Sequence, residues 1–592
     1  MYTLRDFGHL RQRIRPSISN GICFCLYRIA YPRAWGRQQF QHWNSCQLHT
    51  SSTPAPRAGI SAIDCNEESL YRYTSGRWLW NEKEQLSRRY VEFNLDELAR
   101  IAMQVTGSQS GIQVQKLREG NFNKVFLITM DDNKEVIAKL PNPNAGRPHF
   151  TTASEVATMD YVRNVLNVPT PQVYSWSSST ENPVGAEYII MEKSRGLELS
   201  KLWDGMPGSD KFQIVKQLVG FEKRLTSSRF PMYGSLYYAK DLPEVQPNQL
   251  VGIGSKKDTV DTVFAVGPTT NRTFFDDGRD AVDVNRGPWE SLEDYVLSRA
   301  YRELACVQSF PTFPRPQGFF YGPGQYQPTA ESKQKTLQNY IKVAPLLLPK
   351  DKELSKPVLW HPDLHGDNIF VNPDQPTEIL SIIDWQAVNL SPLFLQARHP
   401  AIVEFDGPIP EGLESINLPD NFDELSPEEQ LDAKKLRAAQ SLYKLYDIQL
   451  IRQCPEIAHA LRFKDSLSGQ ITGLAGSLFS DGEPIVQGML IKLQEEWSSS
   501  IGPSIPCPLS FTAEEKETQR EDAAKWAAGV ELMEEFLHQV GAYRGWDGWV
   551  NHDNYELYKE RFVRCREQFM NRHSVTDEER NRWRAVWPFK DN

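Results

Sequence analysis

The run Trp360-His361-Pro362-Asp363-Leu364-His365-Gly366-Asp367-Asn368 sets an acid and an amide five residues apart, and Ile382-Ile383-Asp384-Trp385 adds a second acid one turn later. These are the groups that phosphoryl transfer asks of a protein. A carboxylate beside the attacking hydroxyl takes or orients its proton, while an amide and a second carboxylate hold magnesium against the β- and γ-phosphates. Asp363, Asn368 and Asp384 fill those roles in order, with the Asp-to-Asn spacing of the kinase loop H-R-D-x-x-x-x-N. The competing interpretation is a polar turn whose Asp and Asn merely cap backbone groups.

The elements that must position these residues are legible around them. Leu359-Trp360, Ile369-Phe370-Val371 and residues 379–383 read as short β-runs, the last two joined by a turn at 372–376. That is a hairpin presenting its acids at one end. Upstream, residues 114–118, 125–128 and 135–140 read as three strands. Between the first two, Gly120-Asn121-Phe122 forms a turn able to lie over nucleotide phosphates, although a single Gly also suits a plain hairpin. Lys139 ends a Val-Ile-Ala-Lys strand, where kinases keep the lysine that grips the α- and β-phosphates.

Over residues 152–166 the apolar side chains Val156, Met159, Val162 and Leu166 recur at helical spacing, with Glu155 near the helix start as partner for Lys139. Either charge taken alone is equally a solvated surface residue; their joint order is what favours a kinase. Two more strands, 171–176 and 187–192, complete a five-stranded sheet. The backbone just beyond Met191, at Glu192, would face the adenine as the linker between lobes.

With these residues in place the chain resembles the aminoglycoside phosphotransferase and choline kinase-like family. That family commonly writes its loop His-Gly-Asp-Leu-His-x-x-Asn, matched by His361 to Asn368 with Pro362 in place of Gly, and follows its metal-binding Asp with Trp or Phe, as in Asp384-Trp385. The resemblance implies an α+β, bilobal protein-kinase-like fold: a small five-stranded antiparallel β lobe plus one helix, and a larger, mainly helical lobe clasping ATP. It implies Asp363 as catalytic base with His361 bracing the loop, and Asn368 and Asp384 as Mg²⁺ ligands. Lys139 would lie on phosphate, oriented by Glu155. Residues 71–82 and 390–394 are similar to the fungal group that includes the altered-inheritance-of-mitochondria protein nine, which implies a mitochondrial protein.

The departures bear on substrate. One Gly stands where protein kinases have three, no Asp-Phe-Gly or Ala-Pro-Glu marks an activation segment, and the Lys-x-Gly-Gln motif of coenzyme Q-type kinases is absent. The expected activity is therefore transfer of the ATP γ-phosphate to a hydroxyl of a small molecule that the sequence does not identify. The alternative is a catalytically weak or inactive pseudokinase that binds nucleotide or acts as a scaffold in mitochondria. Asp406, Glu411 and Glu414 are candidates for a cation-binding acceptor cluster, with a solvated loop as the competing assignment.

At 592 residues, 40% hydrophobic and 24% charged, the chain exceeds one ordinary domain. A net charge of -10 argues against a nucleic-acid partner. No apolar run reaches the roughly 18 residues that span a bilayer. Residues 1–58 are Arg-rich, Ser-bearing and hold Asp6 as their one acid, the composition of a mitochondrial transit peptide cleaved between Leu48 and Gly59; a basic arm is the alternative. Then follow an N-terminal extension (59–110), a nucleotide-binding lobe (111–193), a large lobe carrying the catalytic loop and metal Asp (194–425), and a helical C-terminal part (426–592). Capping signals at Ser426-Pro427, Thr512 and Thr576 start helices there. The eight cysteines contain no Cys-x-x-Cys pair and predict neither zinc nor a disulfide framework.

Overall fold

Strand β4 (Asn123–Met130) shows how the small lobe is built: its residues alternate between half-buried and buried, sending Phe126, Ile128 and Met130 into the core. The structure is a computed structural model that describes residues 60–62, 67–109, 112–252, 264–314, 320–410, 412 and 415–590. The expected transit peptide lies outside these residues, as do Glu411 and Glu414 of the proposed acidic cluster.

The N-terminal extension contributes β1 (Ile60–Ala62), β2 (Arg77–Trp78) and helix α1 (Leu95–Thr106). Asn94 caps α1 by accepting from the Glu97 amide at 3.1 Å, and Gly107 ends it in the left-handed conformation, φ 69°. The small lobe comprises β3 (Ile112–Lys116), β4, β5 (Glu135–Pro141), α2 (Phe150–Asp160), β6 (Val173–Ser177) and β7 (Tyr188–Glu192). The expected five antiparallel strands are present, in the order β3-β4-β5-β7-β6. A sixth, β1, joins the β3 edge in parallel register. Leu98, Ala99 and Ala102 of α1 pack on Val114, Phe126, Ile128, Ala138 and Ile190, each large apolar side chain contributing about 1.5–3 kcal/mol.

Helix α2 ends earlier than its periodicity predicts, passing into a π-helical turn at Tyr161–Val165. Its residues from Thr151 to Met159 are all buried, because it is wedged between the small sheet and the large lobe, where Ala153 meets Tyr237 and Ala265. A helix buried on every side loses the polar face that an amphipathic pattern relies on.

The large lobe opens with β8 (Leu197–Glu198) and α3 (Gly208–Ser227), then a three-stranded sheet of β9 (Ser235–Tyr238), β10 (Leu250–Val251) and β11 (Phe264–Gly267), and helices α4 (Leu292–Ser309) and α5 (Ala330–Leu347). Strand β12 is Pro357–Val358, just before the predicted Leu359-Trp360, and pairs with β15 (Ser391–Pro392). The predicted hairpin is β13 (Ile369–Val371) and β14 (Ile379–Ile382), with Ile369 opposite Ile382 and β8 on the free side of β13. Beyond it run α6 (Pro427–Gln453), α7 (Pro455–Asp465), α8 (Glu483–Glu495), α9 (Ala513–Val540), β16 (Trp549–Val550), α10 (Tyr555–His573) and α11 (Asp577–Val586). Thr512 and Thr576 form the predicted capping boxes, and Ser426, predicted as a cap before Pro427, forms one too.

The C-terminal helices divide between two cores. Leu442, Tyr446, Val486, Leu490 and Trp526 join α4 and α5 in the large-lobe core. Met533, Phe536, Phe562, Phe569, Trp583 and Phe589 instead surround Phe320 and Trp80, the latter from the N-terminal extension. There β16 pairs with β2, setting Trp549 opposite Trp78, and the Trp78 indole donates to Asp547 Oδ2 at 2.9 Å.

Candidate active site

β5 carries Lys139 into the protein interior, its side chain 6% exposed, and α2 meets it with Glu155. The Lys139 Nζ lies 2.6 Å from Glu155 Oε1 and 3.1 Å from Asp384 Oδ1. Burial works against the lysine's charge, but the Glu155 and Asp384 carboxylates outweigh it and hold its pKa above the usual value. Burial likewise pushes the Glu155 carboxyl up, with Lys139 opposing the rise. Asp384 lies two residues beyond the end of β14, in the left-handed region at φ 64°, a conformation Asp tolerates better than most side chains. That backbone turn takes its carboxylate out of the hairpin and over to Lys139.

His361 ties the two acidic motifs together. Its Nδ1 accepts the Asp363 amide at 3.2 Å, which leaves Nε2 to donate to the Ile383 carbonyl at 2.9 Å. Burial lowers its pKa, and the ring packs edge-on against Trp385 at 4.8 Å. Trp385, itself fully buried, donates to the Ile382 carbonyl at 3.0 Å. Asn368 closes the loop, its Nδ2 donating to the Asp363 carbonyl at 2.9 Å. That bond turns the amide nitrogen inward and leaves Oδ1, the atom suited to a cation.

Asp363 sits with one oxygen near His365, Oδ2 to Nε2 at 3.4 Å, and with Oδ1 shielded from solvent and without a hydrogen-bond partner. Burial would raise its pKa, but the hydrogen bond from His365 and the charges of His365, His361 and Arg398 hold it below the usual carboxylate range. Such a carboxylate can accept a proton only from a group placed directly against it.

The loop of Gly120, Asn121 and Phe122 is clamped from several sides. At its root Glu119 is buried, meets Lys124 at 2.6 Å and Lys116 at 2.9 Å, and accepts the Thr74 amide at 2.8 Å. Asn121 Oδ1 accepts from Arg89 at 3.1 Å. The Phe122 ring lies under the Arg272 guanidinium, 3.9 Å from Cζ to centroid, and Asn123 donates to Gln386 at 2.9 Å. A Cβ at Gly120 would meet nothing within 4 Å, so the backbone does not demand glycine, and the space beside it is the loop's open face. Glu192 ends β7 with its side chain on Arg163 (3.2 Å) and the Gln172 amide (3.2 Å).

The structure thus brings together Lys139, Glu155, Asp363, Asn368 and Asp384, with His361 beneath them, and sets Gly120, Asn121 and Phe122 at the cleft. Sequence reasoning missed His365, Gln386 and Arg272. His365 stood in plain view within the motif; Gln386 bonds a residue 263 positions away, for which no local signal exists.

A β-rich lobe with a lysine-glutamate pair, followed by a helical lobe with an Asp-x4-Asn loop and a following Asp, has the architecture of a kinase-like fold of the aminoglycoside phosphotransferase type. No protein-family model matches the chain. A subtelomeric hrmA-associated cluster protein of Aspergillus fumigatus is 31% identical over 514 residues, covering 81% of this chain and 96% of its own. Altered inheritance of mitochondria protein 9 of Yarrowia lipolytica is 25% identical over 523 residues, covering 83% of this chain and 86% of its own. Among solved structures, a Ralstonia eutropha protein assigned as an aminoglycoside phosphotransferase aligns with TM-score 0.35 and 12% identity, covering 75% of this chain and 99% of its own. The chain belongs to the fungal family of the Aspergillus fumigatus subtelomeric hrmA-associated cluster protein. Relatives in several fungi, 22–25% identical, are named as mitochondrial proteins. Among the described residues no helix is long and apolar enough to cross a membrane.

Proposed function

We propose that this chain is an ATP- and Mg²⁺-dependent phosphotransferase acting on a hydroxyl of a small molecule in mitochondria, imported by residues 1–58. The observation that carries it is the contact of Lys139 with both Glu155 and Asp384, at the mouth of a loop that leaves Asp363 Oδ1 unpaired. Lys139 and Glu155 bind and orient the nucleotide phosphates, beneath a loop of Gly120, Asn121 and Phe122. The main chain after Met191 meets the base. Asn368 Oδ1 and Asp384 suit magnesium, which usually takes one or two protein ligands and completes its shell with phosphate oxygens and water. Among the described residues no group of three or more His, Cys, Asp or Glu competes for a metal. Magnesium, when bound, offsets the charge that develops on the phosphates.

Asp363 orients the acceptor hydroxyl and takes its proton as the new oxygen–phosphorus bond forms and the bond to the bridging oxygen breaks, releasing ADP. His361 keeps the loop in register, and His365 holds the second oxygen of Asp363.

The competing function is a nucleotide-binding scaffold of low or no activity, favoured by the loop's existing bonds to Arg89, Arg272 and Gln386. One assay separates the two. Chain starting near Gly59 is incubated with Mg²⁺, γ-labelled ATP and a small-molecule extract of mitochondria, beside Asp363→Ala. Label transfer that the variant lacks establishes the kinase and marks its acceptor; equal background with nucleotide still bound establishes the scaffold.

A further inference from the structure

Arg272 starts a short 3₁₀ turn (Arg272–Phe274) in the insertion after β11, anchored on all sides in the large lobe. Asn271 caps it by accepting the Thr273 amide at 3.0 Å. Phe274 is fully buried, 5.4 Å from Trp289 between ring centroids and 4.3 Å from the Arg302 guanidinium, and Arg302 also donates to Thr273 Oγ1 at 3.1 Å. Just upstream, Thr270 Oγ1 and Ser235 Oγ both donate to the Val388 carbonyl, at 3.4 and 3.3 Å. Val388 lies four residues beyond Asp384. The turn is thereby fastened to the segment that carries the metal-binding acid.

From this anchor the guanidinium crosses the cleft to Phe122 in the nucleotide loop. Its Nε and Nη2 donate to the two oxygens of Asp276, at 3.1 and 3.2 Å, which fixes the plane of the fork. The third nitrogen, Nη1, is shielded from solvent and has no hydrogen-bond partner. An arginine donor left unpaired in a protein interior is costly, and such costs cluster where a ligand completes the set. Asn123 and Gln386 pair alongside, so Arg272 and Gln386 both meet the loop from the large-lobe side.

We infer that Arg272 is a further phosphate-contacting residue, supplying charge from the large lobe to the terminal phosphate of a nucleoside triphosphate beneath the Phe122 loop. This rests on the nucleotide-site function proposed above. The role belongs to the fork geometry: a lysine ammonium cannot hold Asp276 through two parallel bonds and still offer a fixed third donor.

The test compares binding of ADP and of a non-hydrolysable ATP analogue, both with Mg²⁺, to the full chain by calorimetry. R272Q should weaken the analogue by about 10-fold, the worth of one charge-assisted hydrogen bond, while ADP binding stays within about twofold. R272K keeps the charge as a safeguard for folding, checked by its melting curve, and should still lose several-fold of the preference for the triphosphate. Equal weakening of both nucleotides, or an unchanged preference in R272K, overturns the inference and leaves the kinase standing. Wild-type chain that binds neither nucleotide overturns both together.

Discussion

His365 holds its Nε2 3.4 Å from Oδ2 of Asp363, while its Nδ1 accepts the main-chain amide of Asp367 at 3.2 Å. The second bond assigns the proton to Nε2 and points it at the Asp363 carboxylate. Burial lowers the His365 pKa, but the hydrogen bond to Asp363 and the charges of Asp363, Asp367 and Asp384 raise it above 6.5 on balance. The neighbouring acid moves the other way.

The pair makes stability depend on pH with a definite sign. The raised His365 contributes fully below its unfolded value of 6.5 and loses that contribution as pH rises through the folded value; the depressed Asp363 contributes above 3.8 and loses it as pH falls through its folded value. His365→Gln should therefore cost about 1 kcal/mol more at pH 5.5 than at pH 8.5, measured by urea unfolding. An equal cost at both values would show that the imidazole is a packing group only.

Asp384→Asn keeps the shape of the side chain and suits the φ of 64°, but removes its negative charge. Nucleotide affinity in the presence of Mg²⁺ should fall by about 10–100-fold, with metal-free binding little changed, because a ligating carboxylate is lost. Paired titrations in Mg²⁺ and in chelator measure this. Asp384→Ala should add a drop in stability of about 1 kcal/mol from the left-handed backbone, visible in the melting curve.

Lys139→Met strands the buried Glu155. The expected loss is about 3–5 kcal/mol, the usual result of breaking one side of a buried ion pair. Without its partner, Glu155 has its pKa raised by burial and by the Asp384 charge with nothing opposing them, so the deficit should shrink as pH falls from 8 to 5 and the carboxyl takes up its proton. The double variant Lys139→Met with Glu155→Leu should recover much of the stability. A double-mutant cycle in urea reads both outcomes.

Asp547→Ala tests the brace between the C-terminal segment and the nucleotide loop. It removes the acceptor for the Trp78 indole and for the Trp549 amide, at 2.9 and 3.0 Å. About 1–3 kcal/mol of stability should go with it. Faster amide exchange is expected over residues 119–123, because Thr74 and Ser75, which hold Glu119, lead into β2. Unchanged exchange there would mean that the loop is held from the large lobe alone.

Residues whose neighbours are close in sequence were legible in it. The Lys139 strand, the helix of Glu155 and the hairpin between Asn368 and Asp384 each declare themselves through periodicity or a turn, and the capping boxes at Ser426, Thr512 and Thr576 are local hydrogen-bond patterns. The α2 boundary was misjudged because the helix is buried on all sides and ends in a π turn. Arg272 against Phe122 and Trp78 against Asp547 join segments with no shared local pattern, the latter 469 positions apart. Tertiary packing alone decides such pairs.

The pairing of β2 with β16 also imposes an order of assembly. A chain emerging from the ribosome, or threading through a membrane with its N-terminal end first, presents Trp78 long before Asp547 and Trp549 arrive. Until they do, the extension has its contacts with the small sheet but not its β16 partner beside the segment that grips Glu119. A fragment truncated before residue 547 would therefore retain every acidic motif but lose the β16 pairing that backs the segment holding Glu119.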